Sequence, residues 1–228
     1  MLKHRSLTLA LLMSAGVLIS ACGKKTDAPA PEATAPAPAA SAPQTNAAPA
    51  TEEDSELVAK REAIEFALME DKIKNDPKGQ WAVSAKASST YSSDANDSTS
   101  GYHAFRATGA PDTERYGDQE TSWASKESDQ GIEWIELEYA NPVNATALKI
   151  RQNLNPGAII SVDLFDEAGS AHNIWQGPDA TKYRDSTISW LNLNFEKTAY
   201  KTKRVKITLA TNAVSGWNEI DAVQLLGE

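Results

Sequence analysis

From Trp81 onward, apolar side chains in this 228-residue chain recur at every second position rather than every third or fourth. Ile135, Leu137 and Tyr139 alternate with Glu136 and Glu138, and Leu148 and Ile150 with Lys149 and Arg151. Ile160, Val162 and Leu164 alternate with Ser161 and Asp163. The pattern returns at Leu191, Leu193 and Phe195, and again at Val205, Ile207 and Leu209. A period of two turns one face of each segment inward and the other to water, as half-buried antiparallel strands do. Asn141-Pro142, Asn155-Pro156-Gly157, Asp166-Glu167-Ala168-Gly169 and Gly177-Pro178-Asp179 supply turn chemistry between them. With no long helical period after Pro77, residues 79–228 are predicted to form an all-β, antiparallel jelly-roll sandwich.

The segment before it has a different period. Residues 51–77 read as one amphipathic helix: acids at Glu52, Glu53, Asp54 and Glu56 suit its N-terminus, and Asp76-Pro77 stops it. Leu57, Ile64, Leu68 and the pair Met69/Ile73 are expected near one side, with Glu56/Lys60 and Glu70/Lys74 as i,i+4 pairs. That face can pack on the sandwich, pair with a second copy, or bind another envelope protein. Upstream, Thr26 to Ala50 holds 11 Ala and 6 Pro in 25 residues with no aromatic or large aliphatic side chain. Such a stretch cannot bury enough surface to fold and is read as a disordered Ala/Pro tether reaching up to about 75 Å.

The first 21 residues read as an address. Lys3, His4 and Arg5 precede an apolar run from Leu7 to Ile19, too short for a stable bilayer span and suited to a secretory signal. Ile19-Ser20-Ala21-Cys22 resembles a bacterial lipobox, and Cys22 is the single cysteine of the chain. The resemblance implies acylation of Cys22 by two or three chains such as palmitate, enough for stable anchoring. Gly23 in place of an aspartate implies the outer membrane. A lone cysteine excludes an intramolecular disulfide and a cysteine zinc site. Three histidines leave no histidine-rich metal centre, and a net charge of -9 argues against a nucleic-acid partner.

The order of short motifs in residues 79–228 carries a family resemblance. Ala87-Ser88-Ser89-Thr90-Tyr91 is followed by Ala107-Thr108-Gly109-Ala110-Pro111-Asp112-Thr113, Trp123-Ala124-Ser125 and Trp134-Ile135-Glu136-Leu137. Asn141-Pro142-Val143, Arg204-Val205-Lys206-Ile207 and Trp217-Asn218-Glu219-Ile220-Asp221-Ala222-Val223 complete it. This resembles the discoidin, or coagulation-factor type C, group of galactose-binding-like sandwiches. The group implies a non-catalytic module that binds glycans, lipids or proteins through loops at one end.

No enzyme motif is legible: there is no Gly-x-Ser-x-Gly, and His103 and His172 read as turn or surface residues. No cofactor is required. A structural calcium is the one metal the pattern allows, with Asp94, Asn96, Asp97, Asp112, Asp118 and Glu219 as candidate oxygen ligands. For a sugar, an aromatic face must meet the C–H side of the ring while polar groups reach its hydroxyls. The candidates are Trp217 with Tyr91 as a second wall, and Arg151, Asn153 and Asn155 as polar contacts. Trp123 and Trp134 are expected to be structural. The expectation is a lipid-anchored, non-catalytic module that recognises carbohydrate of the envelope or beyond the cell. The alternative is a scaffold that binds other envelope proteins through helix and sandwich, without glycan.

Overall fold

The computed structural model describes residues 52–94 and 96–228; Cys22, the signal-like segment 1–21 and the tether at 22–50 lie outside them. Among the described residues the order is helix α1 (Glu52–Lys74), then β1 (Gly79–Ala87), β2 (Ile132–Val143), β3 (Ala145–Leu154) and β4 (Ile159–Asp166). β5 (Ala171–Gln176), β6 (Ser189–Asn194), β7 (Thr202–Ala210) and β8 (Glu219–Gly227) follow. The predicted all-β sandwich with one preceding helix is what forms. All pairings are antiparallel, in the order β5-β4-β7-β2-β1-β8-β3-β6.

The two layers share a strand. The first residues of β1, Gly79 to Trp81, pair with β8, whereas Ala82 to Ala87 pair with β2. A register shift between Ala82 and Ser84 marks where the strand passes from one layer to the other. Gly79 permits this start, since a Cβ there would fall 2.3 Å from Gln224 Nε2. Ile135, Leu137, Leu148, Ile150, Val162, Leu164, Val205, Ile207, Val223 and Leu225 meet between the layers, all fully buried. In β4 a shift between Ile159 and Ser161 moves burial to Ile159 and leaves Ile160 half-buried, a detail simple alternation did not give. The expected turn at Asn141-Pro142 also moves: β2 runs through both residues to Val143, and the chain reverses at Asn144.

Helix α1 lies on the outer face of β3 and β8, but not by the side expected. At about 100° per residue, Leu57, Ile64 and Leu68 fall on one line, and Phe66, Met69 and Ile73 on the opposite side. Ile73 is buried, while Leu57, Ile64 and Leu68 are 60–65% exposed. The apolar positions therefore form two stripes, and only the second packs. Gln224 Nε2 donates to the Ile73 carbonyl at 2.7 Å, and Arg184 pairs with Glu62 at 3.0 Å.

Candidate functional site

β1, β3, β5 and β7 all finish at one end of the sandwich, and β2, β4, β6 and β8 all begin there. The long segment 88–131 and the loops at 155–158, 177–188 and 211–218 gather at this rim. Trp123, fully buried, fixes the long segment: it bridges Ile220 of β8, and its Nε1 donates to the Ser89 carbonyl at 3.1 Å. Tyr91 N donates to the Ala124 carbonyl at 3.0 Å, which sets Tyr91 beside the 217 loop.

The rim holds an aromatic corner. Tyr91, 51% exposed, stands edge-on to Tyr102 at 5.2 Å and to Trp217 at 5.3 Å between ring centres. Trp217 Nε1 donates to the Ser125 carbonyl at 3.1 Å, and the Tyr102 hydroxyl donates to Asp118 at 2.6 Å. Tyr102 reaches this position with a φ of 58°, unusual for an aromatic residue. Together with Asp118, Ala124 and Glu219 these rings line a cavity of about 30 Å³.

Glu219 is the buried member of that lining, 1% exposed. Its Oε2 accepts from Asn153 Nδ2 and from Gln119 N, but its Oε1 has no hydrogen-bond partner. Burial, above all, raises the carboxyl to about 8, with the adjacent Asp118 adding to it.

The structure brings Tyr91, Asn155 and Trp217 together. Asn155, at a φ of 42° that asparagine tolerates, donates through Nδ2 to the Trp217 carbonyl at 3.0 Å and holds that loop in place. Asn153 lies beneath, fully buried, tying Gly117 and Glu219 to β3. Arg151 does not join them. Its guanidinium, 3% exposed as a residue, donates to Asp221 at 2.6 Å, to the Thr113 carbonyl at 2.7 Å and to Glu70 of α1 at 2.7 Å. Glu70 also accepts from Trp190 Nε1 at 3.3 Å. Arg151 clasps helix to sheet.

Of the candidate calcium ligands only Asp118 and Glu219 meet. Asp94 and Asp97 accept from Asn96 N and Thr99 N in exposed Asx turns, each at 2.9 Å. Asp112 lies instead beside Asp221, and burial with that neighbouring carboxylate raises its pKa. At Glu219 the groups aimed at the carboxyl are N–H donors from Asn153 and Gln119, not the further oxygens that calcium requires. Calcium takes six to eight oxygens. No group of three or more histidine, cysteine or acidic side chains able to hold a metal occurs among the described residues, so these residues do not fit the ion.

Tyr102 and Asp118 were not read as partners of the aromatic pair. Nothing in their spacing marks them, because a positive φ and a 16-residue loop bring them together.

The family model of the pappalysin-1 SD scarf domain, C-terminal, matches residues 71–228. The chain belongs to that family. The match spans the end of α1 and every strand; Arg151, Thr113 and Asp221 fall within it with the rim, and Glu70 lies one residue before it. No curated protein matches the chain. Among solved structures, chitosan-binding module 1 of a chitosanase/glucanase from Paenibacillus sp. IK-5 is 17% identical. It covers 63% of this chain and 94% of its own, with a TM-score of 0.44. The lectin domain of lectinolysin, complexed with Lewis B antigen, is 17% identical over 64% of this chain and 92% of its own, TM-score 0.43. Reduced XRCC1 bound to the DNA polymerase β catalytic domain is 14% identical over 67% of this chain and 99% of its own, TM-score 0.48.

Proposed function

We propose that this chain is a lipid-anchored, non-catalytic glycan-binding module that displays its SD scarf domain on an Ala/Pro-rich tether. The aromatic corner carries the reading. An exposed Tyr91 held upright by Tyr102 and Trp217 gives an apolar plane at the rim, next to acceptors at Asp118 and Glu219. A sugar ring presents one C–H face and several hydroxyls, and that combination satisfies both surfaces. Carbohydrate of the envelope or outside the cell is the ligand class. The lipobox-like Ile19-Ser20-Ala21-Cys22 supports anchoring in the cell envelope, and Gly23 supports the outer membrane.

Binding is tested on a glycan array and by calorimetry. Tyr91→Ala is expected to weaken glycan binding about tenfold or more while moving the melting temperature little, since half of the ring is already in water. Unchanged affinity in that variant sinks the reading. For the anchor, incorporation of labelled palmitate should disappear in Cys22→Ser. The second reading, a scaffold for other envelope proteins, is favoured by one observation, the exposed stripe of Leu57, Ile64 and Leu68 on α1.

A further inference from the structure

The rim cavity combines features that a neutral sugar does not need. Three aromatic rings stand as its walls, with Tyr91 at 88° to Tyr102 and 68° to Trp217. Its polar lining consists of two carboxyl groups, Asp118 and Glu219. Glu219 is 1% exposed, its Oε1 has no hydrogen-bond partner, and its carboxyl lies beside that of Asp118, where burial keeps its proton on. A buried carboxyl oxygen is costly to leave unpaired. Asp118 has one oxygen committed to the Tyr102 hydroxyl, which keeps that carboxylate pinned at the wall. The opening of about 30 Å³ has room for one small polar group.

Aromatic rings around acidic side chains attract one kind of group. The ring faces carry negative potential, and the carboxyl pair gains charge as a cation displaces the Glu219 proton to solvent, so both favour a positive ligand. A hard divalent ion needs a shell of oxygens, which rings and the Ala124 side chain do not offer. An alkyl ammonium needs less: apolar contact for its carbon, and acceptors for its N–H groups. It would donate to Glu219 Oε1, the atom that otherwise lacks a partner.

We infer that the cavity between Tyr91, Tyr102 and Trp217 is a subsite for a primary ammonium group, so that the glycans this domain prefers carry a free amine. The inference rests on the glycan-binding reading for its ligand class, and on the unpartnered Glu219 Oε1 for its acceptor. Deacetylated amino-sugar oligomers are therefore favoured over their N-acetylated counterparts. In the acetylated form the amide is neutral and too large for the space.

The test uses the unit from Ala50 to Glu228, which packs as one compact body. The Trp217 indole N–H is followed by nitrogen–proton NMR while glucosamine tetramer, N-acetylglucosamine tetramer, methylammonium and calcium chloride are each added. The expected result is an affinity for glucosamine tetramer about tenfold or more above the acetylated one. Glu219→Gln, which keeps the shape of the side chain, should reduce that preference to less than about threefold. Equal affinity for the two tetramers overturns the ammonium subsite and leaves the glycan reading standing. A Trp217 response to methylammonium with no oligosaccharide bound supports the subsite and overturns the glycan reading. A response to calcium alone, or to neither methylammonium nor glucosamine tetramer, overturns the subsite.

Discussion

Strand β8 carries two buried carboxylates two residues apart, Glu219 and Asp221, and the fold treats them differently. Asp221 meets the Arg151 guanidinium at 2.6 Å and also accepts from Thr113 N at 3.2 Å. Glu219 meets N–H groups of Asn153 and Gln119 and the adjacent Asp118 carboxyl, and one of its oxygens has no hydrogen-bond partner. Ile220 between them packs in the core, and the pairing with β3 shifts register on both sides of it. Asp221 points under the helix and the 113 loop, while Glu219 points into a cavity at the rim. A buried carboxylate matched by an arginine within the fold is structure. A carboxyl left short at the edge of the fold is where an outside group can complete the set. The comparison separates clasp from site more sharply than burial does, since both acids are 1% exposed.

Breaking the matched side should have the largest effect. Arg151→Ala removes the partner of Asp221 and of Glu70 together, leaving a carboxylate buried without a counter-charge. Removing one partner of a buried pair costs about 3–5 kcal/mol. For a domain of this size that corresponds to a melting temperature lower by roughly 10 °C. Adding Asp221→Asn to that variant should recover part of the loss, because the orphaned charge goes with it. Urea unfolding of the two variants measures both. A loss below about 1 kcal/mol in Arg151→Ala would mean the clasp contributes no more than a surface pair.

The unmatched side gives a smaller effect with a definite sign in pH. Glu219 titrates at about 8 in the folded chain, against an ordinary value of 4.5. Between those values the folded chain keeps the proton that the unfolded chain has released. Stability therefore falls as pH rises from about 4.5 and levels off above about 8. Asp112 is raised as well and adds a slope of the same sign, so the contribution of Glu219 is read as a difference between proteins. Glu219→Gln should match the wild type near pH 4.5 and exceed it in stability near pH 8. Thermal melts of both proteins across that range check it, and parallel curves would place the Glu219 carboxylate in water.

How much of this was legible follows from the range of the interactions involved. Alternation in β2, β3 and β7 is a local signal, and Leu137, Ile150 and Ile207 lie where it puts them. Trp217 and Tyr91 were found as aromatics beside turns, and the fold sets them 5.3 Å apart. Arg151 looked like a residue leaving a strand for the rim. Its commitment to Glu70 depends on a contact 81 residues away, which no local pattern records. Tyr102 was missed for the same reason, and Asp118 was read only as a calcium candidate and not as the partner of Tyr102. Helix α1 shows the opposite case: its apolar residues were visible, but not that a split of about 180° would leave one stripe unused.

That unused stripe sets the smallest expected effect. Leu68 lies on the side of α1 away from the sandwich and is 65% exposed, whereas Ile73, five residues on, is 3% exposed. Leu68→Ser removes an apolar surface that folding has not buried, so the stability of the isolated chain should change by less than about 0.5 kcal/mol. Ile73→Ser at the packed side should cost several times that, because a buried aliphatic side chain is worth about 1.5–3 kcal/mol. If Leu68→Ser instead destabilises as much as Ile73→Ser, and the loss grows with protein concentration, the stripe is covered in solution. The second reading, in which α1 binds a protein partner, would then gain the support that the rim now gives to the first.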